Sequence, residues 1–404
     1  MRVALVTTRF DLIGGSERYA RGVARALAEH GDEVRVLCSE GDSPAGLETR
    51  ALPALATPTP DGHALRELGA SLRDRDATLL TSRVPAAVLE TLLEGPPLVR
   101  FVQDHTLFCP GQNKQLASGD LCREPVGVAC LRRYWLQGGC AGQRIQGAPS
   151  LRGPLRELSV RRRELDLSTR CRRILVASGY MREELLRAGL PPERVEVLPY
   201  FTRACSEEVE STAPPEDLMA FWTEGDGLRL LASARLVHPD KGIDFLITAM
   251  GKLRHPARLV LAGDGPAREW LQAKVDEEGL ADRVRLVGWR SAAEVEGLYA
   301  SAQAVAFPSV WDEPFGLVGI EAMAHGLPVV GTEVGGVSEW LAADRTGLVV
   351  PRRDADALAS AIDRLSSDRA LAGRLGAEGR RQVAERYRPA RHLARLRELL
   401  AAGS

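Results

Sequence analysis

The fold is decided by residues Phe307 to Glu339, FPSVWDEPFGLVGIEAMAHGLPVVGTEVGGVSE. They predict elements in the order strand, loop, helix and strand, which we place at Gln303 to Phe307, a proline-bounded loop with Glu313, Phe315 to Gly326, and Pro328 to Gly331. Apolar strands joined through a helix are typical of a parallel sheet. The stretch therefore indicates one unit of a parallel α/β domain.

Two glutamates, Glu313 and Glu321, accompany the start of this helix. Free N–H groups and the positive end of the helix dipole favour a phosphate there. Gly316 and Gly319 would let another group approach the first helical turn closely. Carboxylates at an anion site would repel a phosphate unless they bind hydroxyl groups instead. A sugar nucleotide supplies both kinds of group, because it has a diphosphate for the helix end and ribose or hexose hydroxyls for the carboxylates.

The segment from Glu313 to Glu321, EPFGLVGIE, resembles the E-x7-E signature of the family-4 retaining glycosyltransferases of the GT-B fold. The resemblance continues through Ala322 to Val330, Gly335 to Glu339 and Gly347 to Val350. It implies an α/β protein of the GT-B class, with two doubly wound, Rossmann-like domains that face a central cleft. It also implies that Glu321 holds ribose hydroxyls and that Glu313 orients hydroxyls of the donor sugar. The alternative, a buried strand, helix and strand with incidental acids, does not explain the carboxylates.

A second motif follows the strand predicted from Leu228 to Ser233. Its loop contains Arg235 and Lys241 and leads into an apolar helix. A lysine at a helix N-terminus opposes the dipole unless an anion lies between them. The spacing of Arg235 and Lys241 resembles the pyrophosphate clamp of the same family, which implies that both stabilise the leaving nucleoside diphosphate. The alternative is an ordinary surface lysine.

Glycine-containing loops at the carboxyl ends of other predicted strands lie where ligands of open α/β sheets bind. In the resembling family, the loops with Gly263, Gly265 and Gly288 face the nucleotide base. Gly14 and Gly15 precede the first helix and would let main-chain N–H groups approach a phosphate, although a plain tight turn is equally consistent with the pair. The predicted donor-binding set comprises Gly14, Gly15, Gly263, Gly265, Gly288, Phe315, Gly316, Leu317 and Glu321.

Alternating strands and helices divide the chain into two domains. We place an acceptor domain at residues 1–203, with a cysteine-containing insertion at about 104–150, and a nucleotide-sugar donor domain at 204–383. The acidic, proline-containing run from Ser206 to Pro215 is typical of a linker. We expect the C-terminal helix at 384–404 to return to the first domain, as the resemblance implies.

Composition excludes several classes of protein. The net charge of −1 does not indicate a protein that binds nucleic acid. No stretch has the length of a membrane span, and the short apolar N-terminus predicts a first strand rather than a signal peptide. We therefore expect a soluble, cytoplasmic chain. The arginine-rich segment described below suggests a peripheral position on the inner face of the cell membrane.

The insertion contains Cys109, Cys122, Cys130 and Cys140 in a long loop without apolar periodicity. Four thiols in a loop without its own core suggest a cross-link. We favour structural zinc because the chain is expected to be cytoplasmic. Reduced thiols and disulfides remain alternatives, since no C-x-x-C pair is present. No catalytic metal is expected, because the two D-x-D sequences, at Asp74 and Asp354, are interpreted as caps and turns.

Acceptor contacts are predicted from two other features. The strand before the insertion ends at Gln103, where family members often have a histidine that contacts the sugar, and His105 lies two residues on. From Leu131 to Arg173, eleven arginines accompany three acidic residues. Such a surface suits an anionic acceptor, for instance a lipid-linked diphosphate sugar, or an anionic membrane surface. A solvated charged helix, predicted from Arg152 to Arg163, explains the arginines equally well.

The combined prediction is a retaining hexosyltransferase. The resemblance implies a UDP or GDP sugar as donor, a glycan, glycolipid or other hydroxyl acceptor, and a role in bacterial cell-surface polysaccharide or glycoconjugate synthesis. It also implies substitution on one face of the sugar, in which the leaving phosphate helps to deprotonate the acceptor. Two alternatives share the architecture. They are a nucleotide-sugar 2-epimerase and a non-catalytic scaffold, and the complete set of Arg235, Lys241, Glu313 and Glu321 argues against the scaffold.

Overall fold

The structure is a computed structural model that describes residues 1–11, 14–41, 44, 46–116, 120–136, 153–204, 213–238 and 240–401. The chain divides into two compact units. The N-terminal unit consists of Met1–Tyr200 and Pro389–Ser404, and the C-terminal unit consists of Phe201–Arg388.

The strands are short and mostly buried. They are β1 (Arg2–Val6), β2 (Arg9–Phe10), β3 (Glu33–Cys38), β4 (Glu40–Gly41), β5 (Glu48–Ala51), β6 (Ala77–Leu80), β7 (Leu98–Val102), β8 (Arg173–Val176), β9 (Val195–Val197), β10 (Leu228–Ser233), β11 (Ala257–Ala262), β12 (Val284–Gly288), β13 (Ala304–Phe307), β14 (Val329–Thr332) and β15 (Gly347–Val350).

Helices follow most of these strands. They are α1 (Gly15–Glu29), α2 (Gly62–Leu72), α3 (Ala86–Leu93), α4 (Val128–Leu136), α5 (Gly153–Ser168), α6 (Gly179–Arg187), α7 (Glu216–Thr223), α8 (Ile243–Gly251), α9 (Arg268–Glu277), α10 (Ala292–Ser301), α11 (Leu317–Ala324), α12 (Ala355–Ser367), α13 (Arg369–Arg386) and α14 (Pro389–Ala401). Short 3-10 turns occur at Pro53–Leu55, His105–Leu107, Pro192–Arg194 and Gly335–Glu339.

The N-terminal unit is built on a seven-stranded parallel sheet in the order β5-β3-β1-β6-β7-β8-β9. Its central strands are near-continuous apolar runs because helices cover both faces of such sheets. The chain first builds outward from β1 to β3 and β5 and then continues on the other side of β1 with β6. The strand order therefore reverses between β1 and β6, and ligands of open α/β sheets bind at such reversals.

The C-terminal unit contains a six-stranded parallel sheet in the order β12-β11-β10-β13-β14-β15. Its strand order reverses between β10 and β13, which are direct neighbours. The predicted α/β class with two doubly wound domains is confirmed by these two parallel sheets. The loops that follow β10 and β13 are the two loops that carry Lys241 and Glu313.

Several element boundaries differ from the predicted ones for local reasons. The helix predicted from Phe315 to Gly326 is α11, at Leu317–Ala324, because Gly316 adopts a left-handed conformation with φ 94° as its N-cap. The helix predicted from Arg152 is α5, which continues to Ser168, while residue 152 lies outside the described residues. Asp354 caps α12 by accepting from the Ala357 N–H, as its interpretation as a cap predicted.

Helix α14 packs within the N-terminal unit. His392 is buried there, with its Nε2 3.0 Å from the Tyr19 hydroxyl and its Nδ1 2.7 Å from the Pro199 carbonyl oxygen. Burial lowers the pKa of His392 to about 4. Arg397 also pairs with Asp32, which in addition accepts from the N-terminal amino group. These contacts attach the end of the chain to its beginning.

In the part of the chain that the structure describes, no helix combines the length and the apolar character needed to cross a lipid bilayer.

Candidate functional site

An ion pair lies where the strand order of the C-terminal unit reverses. The Nζ of Lys241, in the loop after β10, is 2.6 Å from Oε1 of Glu313, in the loop after β13. Glu313 is nearly buried, with 7% of its side chain exposed, whereas 23% of the Lys241 side chain is exposed. The Lys241 ammonium group is therefore partly exposed to solvent, and the nearly buried Glu313 carboxylate fixes its position.

Two glycines permit this close approach of the loops. Gly242 has φ 61°, and a Cβ there would overlap the carbonyl oxygen of Pro308. Gly335 has φ 53°, and a Cβ there would overlap the carbonyl oxygen of Glu313, which accepts from the Gly336 N–H at 2.8 Å. A side chain at either position would push apart the loops that carry the ion pair.

Two partners of the ion pair were not predicted from the sequence. The Ser309 hydroxyl donates to Glu313 Oε1 at 2.7 Å, and the Trp311 ring lies 5.2 Å from Lys241 Nζ, within cation–π range. Both residues belong to the quoted stretch, and Ser309 precedes Glu313 by four positions. Ser309 could have been identified from the sequence, because it has a hydroxyl group and lies four positions before the predicted site residue Glu313.

Arg235 lies in the same loop as Lys241 and is exposed. This loop packs directly against two glycines. A Cβ at Gly263 would overlap the carbonyl oxygen of Ala234, and a Cβ at Gly265 would overlap the carbonyl oxygen of Leu236. These glycines were predicted to bind donor. In the structure their small size lets the β11 loop contact the backbone on both sides of Arg235. Gly288, at the end of β12, accepts from the Gly263 N–H at 2.8 Å and extends the same set of contacts.

The start of α11 is packed around Trp340. A Cβ at Gly319 would overlap the Trp340 ring, so the group that approaches the first turn closely at this position is the indole. The indole Nε1 donates to the Phe315 carbonyl oxygen at 2.6 Å, and the Phe315 side chain is buried. Leu317 begins the helix and is half-buried.

Glu321 lies one turn further along α11 and is buried, with 6% exposure. The Tyr299 hydroxyl donates to its Oε2 at 3.3 Å. Glu313 thus lies in the loop before α11 and Glu321 lies on α11 itself. Glu313 contacts Lys241 and Ser309, whereas Glu321 accepts a hydrogen bond from Tyr299.

The loop after β1 contributes Gly14, the N-cap of α1, and Gly15, its first residue. Leu12 and Ile13, which precede them, lie outside the described residues. At the reversal of the N-terminal sheet, the Thr8 N–H donates to the Ser82 hydroxyl oxygen at 2.8 Å, which joins the loops after β1 and β6.

The predicted sugar contacts, Gln103 and His105, have internal partners. The Gln103 amide donates to the Thr81 carbonyl oxygen and accepts from the Tyr200 hydroxyl at 2.9 Å. His105 is fully buried beside Tyr180, and burial lowers the pKa of its imidazole to about 3. In this arrangement both side chains have partners within the N-terminal unit, and their contact with a sugar stays a prediction.

Three of the four insertion cysteines, Cys109, Cys122 and Cys130, line one small cavity of about 20 Å³. Burial raises the pKa of the Cys109 thiol to about 11, and it also raises that of Cys130. All three are free thiols, and Cys140 lies outside the described residues. Within the described ranges, no three side chains of metal-binding type are arranged closely enough to hold an ion.

The basic segment divides into buried and exposed arginines. Arg161 on α5 is buried, 3.2 Å from Glu157, and Arg173 is 3.1 Å from Glu196. The exposed face of α5 carries the remaining described arginines of the helix, together with Leu155, which is 48% exposed. We call this exposed set the basic face. It consists of Leu155, Arg156, Arg162 and Arg163.

Two family models match the chain in succession. The model described as Glycosyltransferase Family 4 matches residues 13–201, and the model described as Glycosyl transferases group 1 matches residues 227–368. The first match covers most of the N-terminal unit, and the second contains the loops with Lys241 and Glu313.

Individual relatives are named as glycosyltransferases. An uncharacterized glycosyltransferase of Methanocaldococcus jannaschii is 37% identical over 41% of this chain and 42% of its own length. A GDP-mannose-dependent alpha-(1-6)-phosphatidylinositol monomannoside mannosyltransferase of Mycobacterium tuberculosis is 32% identical over 53% of this chain and 58% of its own. The chain therefore spans about half the length of these curated relatives.

A solved structure resembles the whole chain. Anabaena HepE, crystallised with UDP and glucose, aligns over 100% of both chains with a TM-score of 0.73 and 17% identity. At this identity the likeness shows the fold, and the fold is GT-B.

Proposed function

Since the chain belongs to the family-4 glycosyltransferases, with a group 1 domain after its family-4 domain, we propose that it transfers a hexosyl group with retention from a nucleoside-diphosphate sugar to a hydroxyl acceptor. The observation that carries this proposal is the ion pair of Lys241 and Glu313 at the reversal of the second sheet. Open α/β sheets bind ligands at this point, and the pair brings a cation and a carboxylate together there. We further propose a role in the synthesis of bacterial surface glycans.

In the proposed reaction, the bond between the anomeric carbon and the diphosphate breaks, and negative charge grows on the departing phosphate. Lys241 and the exposed Arg235 would stabilise that charge, so no catalytic metal is needed in this proposal. Glu313, fixed by Lys241 and Ser309, would accept hydrogen bonds from hydroxyls of the donor sugar. The departing phosphate would take the acceptor proton as the new glycosidic bond forms on the same face.

The donor is proposed to be a UDP or GDP sugar. The HepE structure contains UDP, and the name of the mycobacterial relative contains GDP-mannose. A thermal-shift panel of UDP, GDP and ADP sugars tests the proposal, because a ligand at a hundred times its Kd stabilises the folded protein by about 2.7 kcal/mol. Stabilisation by a UDP or GDP sugar, followed by transfer to an added glycan acceptor, is the expected result. No shift with any sugar nucleotide, or isomerisation of the donor alone, would contradict it.

We propose that the acceptor is a glycan or a lipid-linked sugar and that the basic face binds an anionic acceptor or anionic lipid headgroups. The exposed Leu155 supports this idea, since apolar side chains among arginines are typical of helices that lie in a membrane interface. Liposomes with acidic lipids should bind the protein, and binding should weaken as salt rises past 0.1 M, where the Debye length is about 10 Å. Equal binding to neutral liposomes would contradict the proposal.

We also propose that the insertion holds a structural zinc ion. The observation in favour is that three of the four thiols line one cavity, although the three are not arranged closely enough to hold an ion by themselves. Cys109, Cys122, Cys130 and Cys140 would be the ligands.

Protein purified without chelators should contain close to one equivalent of zinc, or iron if the site holds a cluster. Replacing Cys109 or Cys122 by serine should release the metal and lower the melting temperature. The buried single thiols Cys38 and Cys171 are matched controls, and their serine variants should retain it. A metal content below about half an equivalent in the wild type would rule out the site.

A further inference from the structure

Buried polar side chains of α10 contact α11 near Glu321. Tyr299, on α10, is 1% exposed, and its hydroxyl donates to Glu321 Oε2 at 3.3 Å. The same hydroxyl is 3.5 Å from the Val318 carbonyl oxygen, at the start of α11. Tyr299 therefore contacts both the carboxylate and the helical turn that carries it.

The tyrosine ring is itself held in place. The His325 imidazole stacks on it, with ring centres 5.3 Å apart and planes 21° from parallel. The Nε2 of His325 lies 2.7 Å from Oε2 of Glu296, and Glu296 is 7% exposed. His325 is the C-cap of α11, so the two ends of this helix are connected through one ring on α10.

We infer that Tyr299 is a positioning residue for the nucleotide, which acts by fixing the side-chain direction of Glu321. The inference rests on the proposed function, in which Glu321 accepts hydrogen bonds from the ribose. A carboxylate has about four acceptor positions, so a bond to Tyr299 fixes one oxygen and still leaves capacity for ribose hydroxyls. Fixing the side chain beforehand reduces the entropy lost on binding, and thereby strengthens the interaction with those hydroxyls.

The removal of a single oxygen tests the inference. Tyr299→Phe keeps the ring and its stack on His325, and it removes the hydroxyl. We expect UDP and GDP to bind about three- to tenfold more weakly to this variant, as for the loss of one hydrogen bond. Rates at saturating donor should change less than KM, because Tyr299 contacts no reacting atom.

The decisive measurement compares nucleotides with and without a ribose hydroxyl. For the wild type, UDP or GDP should bind more tightly than the 2′-deoxy or 3′-deoxy counterpart. In Tyr299→Phe, the ratio of ribonucleotide to deoxynucleotide affinity should fall toward the ratio of Glu321→Gln. In the latter variant the carboxylate that accepts from the ribose hydroxyls is replaced by a weaker acceptor. A merely structural role for Tyr299 would lower the affinity for all the nucleotides equally and leave the preference unchanged.

Tyr387→Phe is the matched control. Tyr387 is also 1% exposed in the C-terminal unit, and its hydroxyl donates to a main-chain oxygen, that of Glu339, at 3.0 Å. This variant should keep the wild-type preference. A wild-type preference in Tyr299→Phe, together with a reduced one in Glu321→Gln, would overturn the inference and leave the proposed function intact. Failure of the wild type to bind any sugar nucleotide or nucleoside diphosphate would overturn both.

Discussion

Replacing Lys241 by alanine should lower kcat about a hundred- to a thousandfold, the usual effect of removing one preorganised group that stabilises charge in a transition state. The proposed leaving diphosphate gains negative charge as the glycosidic bond breaks. A cation beside it therefore interacts more strongly with the transition state than with the bound donor. Lys241→Arg should recover only part of the rate, because a planar guanidinium does not replace a compact ammonium.

The ion pair makes a stability control necessary. Lys241→Ala leaves the nearly buried Glu313 with Ser309 but without its cation, so some loss of melting temperature is expected. The double variant with Glu313→Gln removes the uncompensated charge and should restore stability without restoring the rate. Rate and melting temperature measured on the same preparations separate the two effects.

Lys252 provides the matched comparison. It is one of few lysines in the chain, belongs to the same unit, and pairs with Asp356 at 2.7 Å on an exposed surface. Lys252→Ala should leave both rate and melting temperature unchanged, since exposed ion pairs contribute little. A Lys241→Ala enzyme with a rate within about threefold of wild type would show that the phosphate site lies elsewhere.

The largest effect on stability is expected at Trp340. Its side chain is fully buried, fills the space beside Gly319, meets the Phe307 ring edge-on with centres 5.6 Å apart, and donates to the Phe315 carbonyl oxygen. Truncation of a buried tryptophan to alanine typically costs about 3 to 5 kcal/mol. Trp340→Ala should therefore lower the free energy of unfolding by about this amount and weaken donor binding, because the start of α11 loses its support.

Urea denaturation of the wild type and three variants measures this effect. Trp289 is the matched control, since its side chain is 57% exposed, and Trp289→Ala should change the free energy of unfolding by less than about 0.5 kcal/mol. Trp340→Phe should fall between the two, because it keeps a ring and loses the hydrogen bond. A loss below about 1 kcal/mol for Trp340→Ala would mean that the indole does not support this helix.

Local sequence patterns, such as runs of apolar residues, predicted many of the strands and helices. The strand predicted from Leu228 to Ser233 is β10, because continuous apolar runs mark strands that are buried on both faces. Helix α7 was not predicted, because its N-cap Pro215 ends the run interpreted as a linker and its first turn is acidic, with Glu216 and Asp217. Its stability comes from tertiary packing, for Trp222 is buried and donates to the Arg258 carbonyl oxygen at 3.2 Å.

Contacts between distant elements account for what the sequence did not predict. Gly319 was predicted to let another group approach the first helical turn, but the sequence did not identify that group, which is an indole 21 positions further along the chain. Tyr299 meets Glu321 across two helices, and no periodicity within either helix encodes that contact. The resemblance could name Glu321, since the motif is local, but the residues that hold it could be found only in the folded chain.

The position of α14 has a consequence for synthesis of the protein. The last helix completes the unit that the first residues begin, through His392 against Tyr19 and Arg397 against Asp32. Chains emerge from the ribosome at about 5 to 20 residues per second, and domains generally fold as they emerge. The N-terminal unit cannot be completed in that order, since its final segment emerges only after the whole C-terminal unit. We therefore expect residues 1–200 to lack α14 for about 10 to 40 seconds during synthesis, with the apolar surface that α14 covers exposed in that interval.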